Sequence, residues 1–279
     1  MAKTLRKGWK GYLFLLPVLA LIGTFKYIPF ATAIWMSFYD WNAANVRDFI
    51  GFANFARLAE DHVFWKAVGN VGIYIVSGVV IQLTVPLLAA VMVYHVSRSR
   101  LQNVLKVSFI LPLVVPNIVI YLMWSWIYQG DMGVVNEFLK LIGLEEWTRA
   151  WLGDSDTAIW AVIFVSFPWV SGVVGTVSGV SFLIYLAGLM SISRDLFEVA
   201  RIDGTTVWQR FRHIEFPLIR SQLKVVLILT VIAQMQSFEN ILVLTNGGPG
   251  RETLTPALYL YQRGFNYSEF GYASAMGVL

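Results

Sequence analysis

Long runs of apolar residues without charged side chains recur along the sequence, and they constrain the fold more than any other feature. A helix needs roughly 20 apolar residues to cross the hydrocarbon core of a bilayer. Charged residues make up 14% of the chain, against about 25% in a typical soluble domain. We therefore predict an all-α integral membrane protein with about six membrane-spanning helices. The candidate spans are residues 11–37, 68–94, 104–128, 158–190, 221–245 and 269–279.

Two of these runs depart from the length of one straight crossing. Residues 158–190 are too many for a single span, and Pro168 with nearby glycines predicts a tilt or break there. The last run is too short, so we expect the natural protein to continue beyond Leu279.

Positive charge divides the connections into two sets, which predicts the orientation of the chain. Cytoplasmic connections of membrane proteins are enriched in Lys and Arg. One set carries 13 such residues, in 1–10, 95–106 and 191–224. The other set carries 7, in 39–67, 129–157 and 245–269. We predict that the first set, with the N-terminus, is cytoplasmic. The predicted organisation is a tail of residues 1–10, a first helix with its external loop (11–66), and a core membrane domain (67–279) with a cytoplasmic loop at 193–217.

The sequence argues against several kinds of chemistry. There is no cysteine, and the three histidines have no spacing typical of metal ligands. No Gly-x-x-x-x-Gly-Lys-Ser/Thr motif is present to hold a nucleotide phosphate. We predict no catalytic residues, no metal site and no cofactor bound by this chain.

The cytoplasmic loop at 193–217 has the pattern of two short amphipathic helices joined by a turn. Ser193 can cap the first helix, Gly204 can end it, and Thr205 or Thr206 can cap the second. Pro217 is predicted to break the second helix before the fifth span. Apolar residues at helical spacing in a loop need a surface to cover them. That surface is either this protein's own spans or a cytoplasmic partner.

The loop resembles the EAA signature of permease subunits in bacterial ABC importers. The matching residues are Glu198, Ala200, Asp203, Gly204, Phe211, Ile214 and Pro217. The sequence departs from the family pattern at Val199, Thr205 and Phe216. The resemblance implies a type I ABC importer permease fold. It also implies that the loop is a coupling element seated in a cleft of an ATPase subunit.

Further segments resemble the carbohydrate branch of these importers, the maltose-type first permease subunits. They are Leu183–Leu189, Leu244–Pro249 and Gly271–Ala275. The resemblance implies a bacterial cytoplasmic membrane protein, surrounded by lipid, that translocates a sugar. It implies a second homologous permease, two ATPase subunits that bind ATP and Mg, and an extracytoplasmic solute-binding protein, but no nucleic acid. It also assigns an outer-mouth loop, made of Asn246, Gly247, Gly248 and Pro249.

Polar residues in the predicted spans are candidates for the substrate pathway. They are Gln234, Gln236, Glu239 and Asn240 in the fifth span and Trp169 in the fourth. In one continuous helix, Gln236, Glu239 and Asn240 would share a face. Amides and carboxylates can bind sugar hydroxyls, and an aromatic ring can stack on a sugar. The alternative is that the polar groups join helices by hydrogen bonds and that Trp169 is a packing residue.

The substrate and the transport class leave alternatives open. A disaccharide or oligosaccharide fits the resemblance, and glycerol phosphate or a polyol passes through similar permeases. An ion-coupled secondary carrier would need a relay of intramembrane acids, for which Glu239 alone is available. A membrane-embedded enzyme would need a catalytic cluster at the interface. Neither of these two classes explains the amphipathic loop.

Overall fold

The computed structural model describes residues 13–165 and 177–279, which are mostly helical. The helices in chain order are α1 (Leu13–Met36), α2 (Ala53–Glu60), α3 (His62–Tyr94), α4 (Ser99–Ile110), α5 (Asn117–Ile127), α6 (Val134–Leu141), α7 (Ala158–Ile163), α8 (Val177–Met190), α9 (Arg194–Ile202), α10 (Val207–Leu218), α11 (Arg220–Met235), α12 (Glu239–Leu244), α13 (Pro256–Tyr261) and α14 (Phe270–Val278). Two short strands, β1 (Tyr39–Trp41) and β2 (Arg47–Phe49), pair antiparallel.

Two of the described helices, α1 and α3, are long and apolar enough to cross a membrane unaided. Three further pairs pass the same test together but are bent: α4–α5 by 92°, α8–α9 by 67° and α10–α11 by 65°. Counting each bent pair as one span would give five. The six spans and the cytoplasmic N-terminus stay predictions.

The candidate span at 104–128 is bent and is not one straight helix. A 3-10 turn, Leu111–Val114, follows α4, and the chain then turns by 92° into α5. Val115 and Pro116 have extended backbones at this bend. A residue before proline is disfavoured in the helical region, so Pro116 accounts for the interruption. The break predicted at Pro168 falls on residues 166–176, which lie outside the described residues.

The described residues form two compact units. The first contains residues up to Phe64 together with Tyr259–Leu279. In it, α14 packs against α1, α2 and β1. The β1–β2 hairpin is fixed to α2 because the buried Asn54 amide donates hydrogen bonds to the carbonyls of Ser37 and Tyr39, both at 2.9 Å.

Asp61 joins three segments of this first unit. Its Oδ1 accepts hydrogen bonds from the first amides of α3, and its Oδ2 accepts them from the hydroxyls of Tyr272 (2.6 Å) and Tyr259 (2.8 Å). Burial alone would raise the pKa of Asp61. The hydrogen bonds from Tyr272, Tyr259, Phe64 and Val63 outweigh burial and hold the pKa below its ordinary value of 3.8.

We expect Asp61→Asn to lower the free energy of unfolding by about 1 kcal/mol at pH 7, after allowance for solvent screening. Because the pKa is lower in the folded state, ionisation stabilises the fold above pH 3.8. This stabilisation is lost as the pH falls through the lowered pKa. Thermal unfolding in detergent across this range should show the difference from wild type shrinking in acid. Exposed Asp48 provides the control, Asp48→Asn. A difference that does not depend on pH would contradict the assignment.

The second unit, Trp65–Leu258, is built around α3, α8 and α11. Its fully buried side chains include Tyr185, whose hydroxyl donates to the Gln82 carbonyl at 3.2 Å. Phe197 of α9 and Phe211 of α10 pack on the edge of this core. The segment that resembles a coupling loop is therefore attached to the core through aromatic side chains.

Candidate functional site

The first helix of the 193–217 loop begins and ends as the sequence predicts. The Ser193 hydroxyl accepts a hydrogen bond from the Asp195 amide at 3.3 Å. At the other end, the amide of Thr205 donates to the Ala200 carbonyl (3.0 Å), and that of Gly204 donates to the Arg201 carbonyl (3.1 Å). This pair of bonds is the Schellman motif, which places its C′ residue in the left-handed region. Gly204 accordingly has φ +70°.

The second loop helix, α10, starts with a capping box. Thr206 Oγ1 accepts from the Gln209 amide (3.3 Å), and Gln209 Oε1 accepts from the Thr206 amide (2.8 Å). Of the two threonines considered, Thr206 is therefore the cap. Thr205 instead donates its hydroxyl to the Ala200 carbonyl at 2.7 Å.

The predicted break before the fifth span is present, but it lies two residues after Pro217. The helix continues to Leu218, and the chain bends at Ile219, before α11. A wide turn of the π type, Phe211–Glu215, directly precedes the proline. Proline lacks an amide proton and crowds the carbonyl one turn earlier. We infer that the wider turn accommodates this ring within the helix.

The loop residues fall into an inner and an outer set. Ala200 is buried, whereas Phe211 and Ile214 are half-buried. The outer set, here named the docking surface, consists of exposed apolar side chains: Leu196, Val199, Ile202, Val207 and Trp208. Ile202 is 85% exposed, and Val207 and Trp208 are each 65% exposed. Packing on the protein's own spans explains the inner set and leaves the docking surface uncovered.

Glu198 and Asp203 present exposed carboxylates on the same loop. Among the residues described, neither side chain makes a hydrogen bond or an ion pair. Asp203 occupies the C-cap of α9 through its backbone amide, which donates to the Val199 carbonyl. Both carboxylates are therefore available to a cationic partner.

The candidate pathway residues of the fifth span lie on two helices, not one. α11 ends at Met235, Gln236 is its C-cap, and α12 starts at Glu239 after a non-helical Phe238. The prediction that Gln236, Glu239 and Asn240 share one helical face is therefore wrong. In a membrane, non-helical backbone persists only where protein or a water-filled cavity surrounds it. The break itself thus marks a polar or protein-lined environment.

Burial separates these candidates further. Gln234 and Asn240 are buried, whereas Gln236 and Glu239 are exposed. The Asn240 Oδ1 accepts from the Ser237 hydroxyl at 2.8 Å. Neither amide atom of Gln234 has a hydrogen-bond partner, and its side chain fills the space that a Cβ at Gly78 would occupy. Trp169, the remaining candidate, lies outside the described residues.

The residues predicted to form an outer-mouth loop lie in a turn, and the segment that follows them is held on α3. Asn246 and Gly247 have positive φ angles of 50° and 89°. The buried Asn70 amide donates to the carbonyls of Arg251 (3.0 Å) and Leu254 (2.9 Å). The prediction that this segment is a turn is confirmed.

Sequence reasoning missed two residues that the structure brings forward. Asn70 anchors the segment that follows residues 246–249, and Glu215 is a fully buried carboxylate in α10. Glu215 was detectable as an acid between the apolar positions Ile214 and Phe216. Asn70 gave no comparable signal, because its partners are 181 and 184 residues away. Within the described ranges, no three His, Asp or Glu side chains cluster as metal ligands.

Comparison with known proteins gives consistent results. A sequence profile described as "Binding-protein-dependent transport system inner membrane component" matches residues 82–279. The probable ABC transporter permease protein YurN of Bacillus subtilis is 34% identical over 269 residues, covering 96% of this chain and 89% of YurN. AmyD of Thermoanaerobacterium thermosulfurigenes, a permease of a probable starch degradation products transport system, is 31% identical and covers 100% of this chain and 91% of its own length.

A solved structure supports the same assignment. A bacterial ABC transporter involved in import of the acidic polysaccharide alginate has a chain that matches with a TM-score of 0.81 and 25% identity. The match covers 99% of this chain and 91% of that chain. The chain described here therefore belongs to the family of inner membrane components of binding-protein-dependent transport systems.

Proposed function

We propose that this chain is a membrane-spanning permease subunit of an ATP-driven importer and that the 193–217 loop receives the ATPase. The observation that carries this proposal is the docking surface, in which apolar side chains are exposed on a well-capped helix–turn–helix. An exposed apolar group of this kind marks a protein interaction site. Exposed Glu198 and Asp203 beside it add charges that a cationic ATPase residue can pair with.

The energy source lies in partner chains in this proposal. The sequence has no phosphate-binding loop, so two ATPase subunits would bind ATP and Mg and move the docking loops. A second homologous permease would complete the pathway, and a solute-binding protein would deliver substrate from outside. The predicted six spans, with a cytoplasmic N-terminus, place the 193–217 loop on the ATPase side of the bacterial cytoplasmic membrane.

A disaccharide or oligosaccharide is the proposed substrate. AmyD belongs to a system named for starch degradation products, and the alginate importer takes a polysaccharide. We assign the pathway to the interrupted segment between α11 and α12, with Gln234, Gln236, Glu239 and Asn240 as candidate contacts and Trp169 as a stacking residue. A buried amide without a partner is costly, and a sugar hydroxyl is the kind of group that satisfies it. This argument favours Gln234 most.

The docking assignment is tested by Ile202→Glu in the co-expressed complex. A charge placed in an apolar interface without a partner should weaken binding by about tenfold or more. We expect the ATPase subunit to be lost during purification of the tagged permease, whose own yield stays unchanged because position 202 is exposed. Leu141→Glu is the matched control, since Leu141 is 84% exposed in the segment predicted to be external.

Retention of the ATPase subunit by the Ile202→Glu complex would show that the docking surface is misassigned. Equal loss in Leu141→Glu would show that the effect is not local. A wild-type chain that purifies without any nucleotide-hydrolysing subunit would overturn the proposed function itself.

A further inference from the structure

An ionic cluster around one buried carboxylate lies between α10 and the residue that follows α3. The Glu215 carboxylate is 0% exposed. Its Oε1 accepts from Arg210 Nε at 3.2 Å, and His95 Nε2 lies 3.1 Å from Oε1 and 3.2 Å from Oε2. Arg210 Nη2 lies 3.1 Å from His95 Nδ1. These three residues, here named the coupling joint, form a closed triangle.

The contacts of the triangle indicate which hydrogen-bond role each ring nitrogen of His95 has. A guanidinium only donates hydrogen bonds, so His95 Nδ1 must accept from Arg210. An ionised carboxylate only accepts, so His95 Nε2 must carry the proton and donate to Glu215. In this arrangement His95 serves as one acceptor and one donor. The single negative charge of Glu215 is balanced by Arg210, as a buried carboxylate requires.

The wide turn in α10 makes this arrangement possible. In a regular α-helix, residues five apart point about 140° away from each other. Arg210 and Glu215 are five residues apart, and their side chains nevertheless meet at 3.2 Å. The π turn Phe211–Glu215, with its hydrogen bond between residues five apart, brings them to the same side. π turns of this kind are frequent at functional sites.

The coupling joint also contacts α9, the first helix of the 193–217 loop. The Arg210 guanidinium lies over the Phe197 ring of α9, 5.5 Å from its centre, and the Phe197 ring is 5.9 Å from that of Tyr94, the last residue of α3. A cavity of about 770 Å³, lined by His95, Phe197 and Arg210 among others, lies beside these contacts. Since α9 borders this cavity, the contact between α9 and the end of α3 depends on the side chains of Phe197, Arg210 and Tyr94.

We propose that His95, Arg210 and Glu215 are positioning residues that transmit movement of the docking loop to α3. This inference rests on the proposed function, because it presupposes an ATPase that moves the loop. A closed triangle of polar contacts around a buried carboxylate resists separation, so α10 and the end of α3 move together. Loss of the joint leaves the docking surface in place and disconnects it from the span.

Position 95 offers a sharp set of variants. Glutamine supplies an acceptor and a donor and can replace histidine between Arg210 and Glu215. Leucine supplies neither group. Asparagine supplies both but is one carbon shorter than glutamine, so we expect it to lose at least one partner. Transmission from the docking loop to α3 should therefore be retained in His95→Gln and lost in His95→Leu and His95→Asn.

Hydrogen–deuterium exchange in the purified complex, with and without ATP and vanadate, measures the transmission. In wild type and His95→Gln, we expect ATP to change exchange rates on the order of tenfold in both α9 and α3, within the usual range of coupling between sites. In His95→Leu and His95→Asn, the change in α9 should persist and that in α3 should fall below about twofold. Basal ATP hydrolysis should be unchanged, because the docking surface is intact.

The exchange rates distinguish transmission by the coupling joint from a role in stability alone. A role in stability alone would raise exchange equally with and without ATP, and the response of α3 would survive in His95→Leu and His95→Asn. That result, or an α3 that does not respond to ATP in wild type, would overturn the proposed role of the coupling joint. If His95→Leu fails to fold, the comparison of His95→Gln with His95→Asn still decides. Failure of the wild-type chain to retain an ATPase would count against the proposed function instead.

Discussion

Gly271→Ala is expected to destabilise the first unit by about 3 kcal/mol, which is the upper part of the range for overpacking. A Cβ at position 271 would lie 2.0 Å from the Tyr39 carbonyl oxygen and 3.1 Å from the Trp41 amide nitrogen. Both atoms belong to the backbone of β1, so no side-chain rotation can relieve the clash. The clash can therefore be relieved only if α14 and the hairpin move apart. Thermal unfolding of the purified chain in detergent would measure the effect.

Gly277→Ala is the matched control on the same helix. There a Cβ would meet only the Leu260 Cδ1 atom, at 3.2 Å, and this side chain can rotate. Because alanine favours helix over glycine by up to about 1 kcal/mol, the substitution should be neutral or stabilising. Similar stability of the two variants would contradict the close approach of α14 and β1.

Gly204→Val is expected to disable the docking loop without unfolding the spans. A β-branched residue at φ +70° costs about 1–2 kcal/mol, although no atom lies within 4 Å of the new Cβ. The turn would relax by rotating α9 relative to α10 and would separate Ile202 from Val207. A penalty of that size changes an equilibrium by about 5- to 30-fold. In reconstituted complexes, the ATPase-subunit concentration for half-maximal hydrolysis should rise by about this factor.

Gly204→Asn separates backbone strain from loss of a small residue. Asparagine tolerates the left-handed region far better than valine does. It should therefore retain most of the hydrolysis at the wild-type subunit concentration. Equal impairment by asparagine and valine would show that the partner requires the absence of a side chain at position 204, and the strain argument would fail.

Local patterns in the sequence predicted the elements whose determinants are local. The apolar runs located α1 and α3, and the capping residues Ser193 and Gly204 located the ends of α9. The bend before α5 also had a local signal in Pro116, which the length of the apolar run obscured. The break after Met235 had none, because Gln236, Ser237 and Phe238 include no proline or glycine.

Contacts between distant residues could not be predicted in this way. His95 and Glu215 are 120 residues apart, and neither carries a sequence pattern that names the other. The Tyr39–Trp41 strand has three residues, which is too few for an alternation of apolar and polar residues to be recognised in the sequence. The candidate site was thus predictable as a surface, from its periodicity, while the means of connecting that surface to the spans required the tertiary structure.

The interruption after α11 has a mechanical consequence. The Ser237 carbonyl accepts a hydrogen bond from the Thr255 hydroxyl at 3.0 Å, across 18 residues of chain. Thr255 directly follows Leu254, whose carbonyl is bound by Asn70, so the gap in the helix is connected to the segment that Asn70 anchors. Straightening this helix would remove the hydrogen bond from Thr255 to the half-buried Ser237 carbonyl, at a cost of about 1 kcal/mol. A displacement of the segment that Asn70 anchors is therefore transmitted to the polar break between α11 and α12.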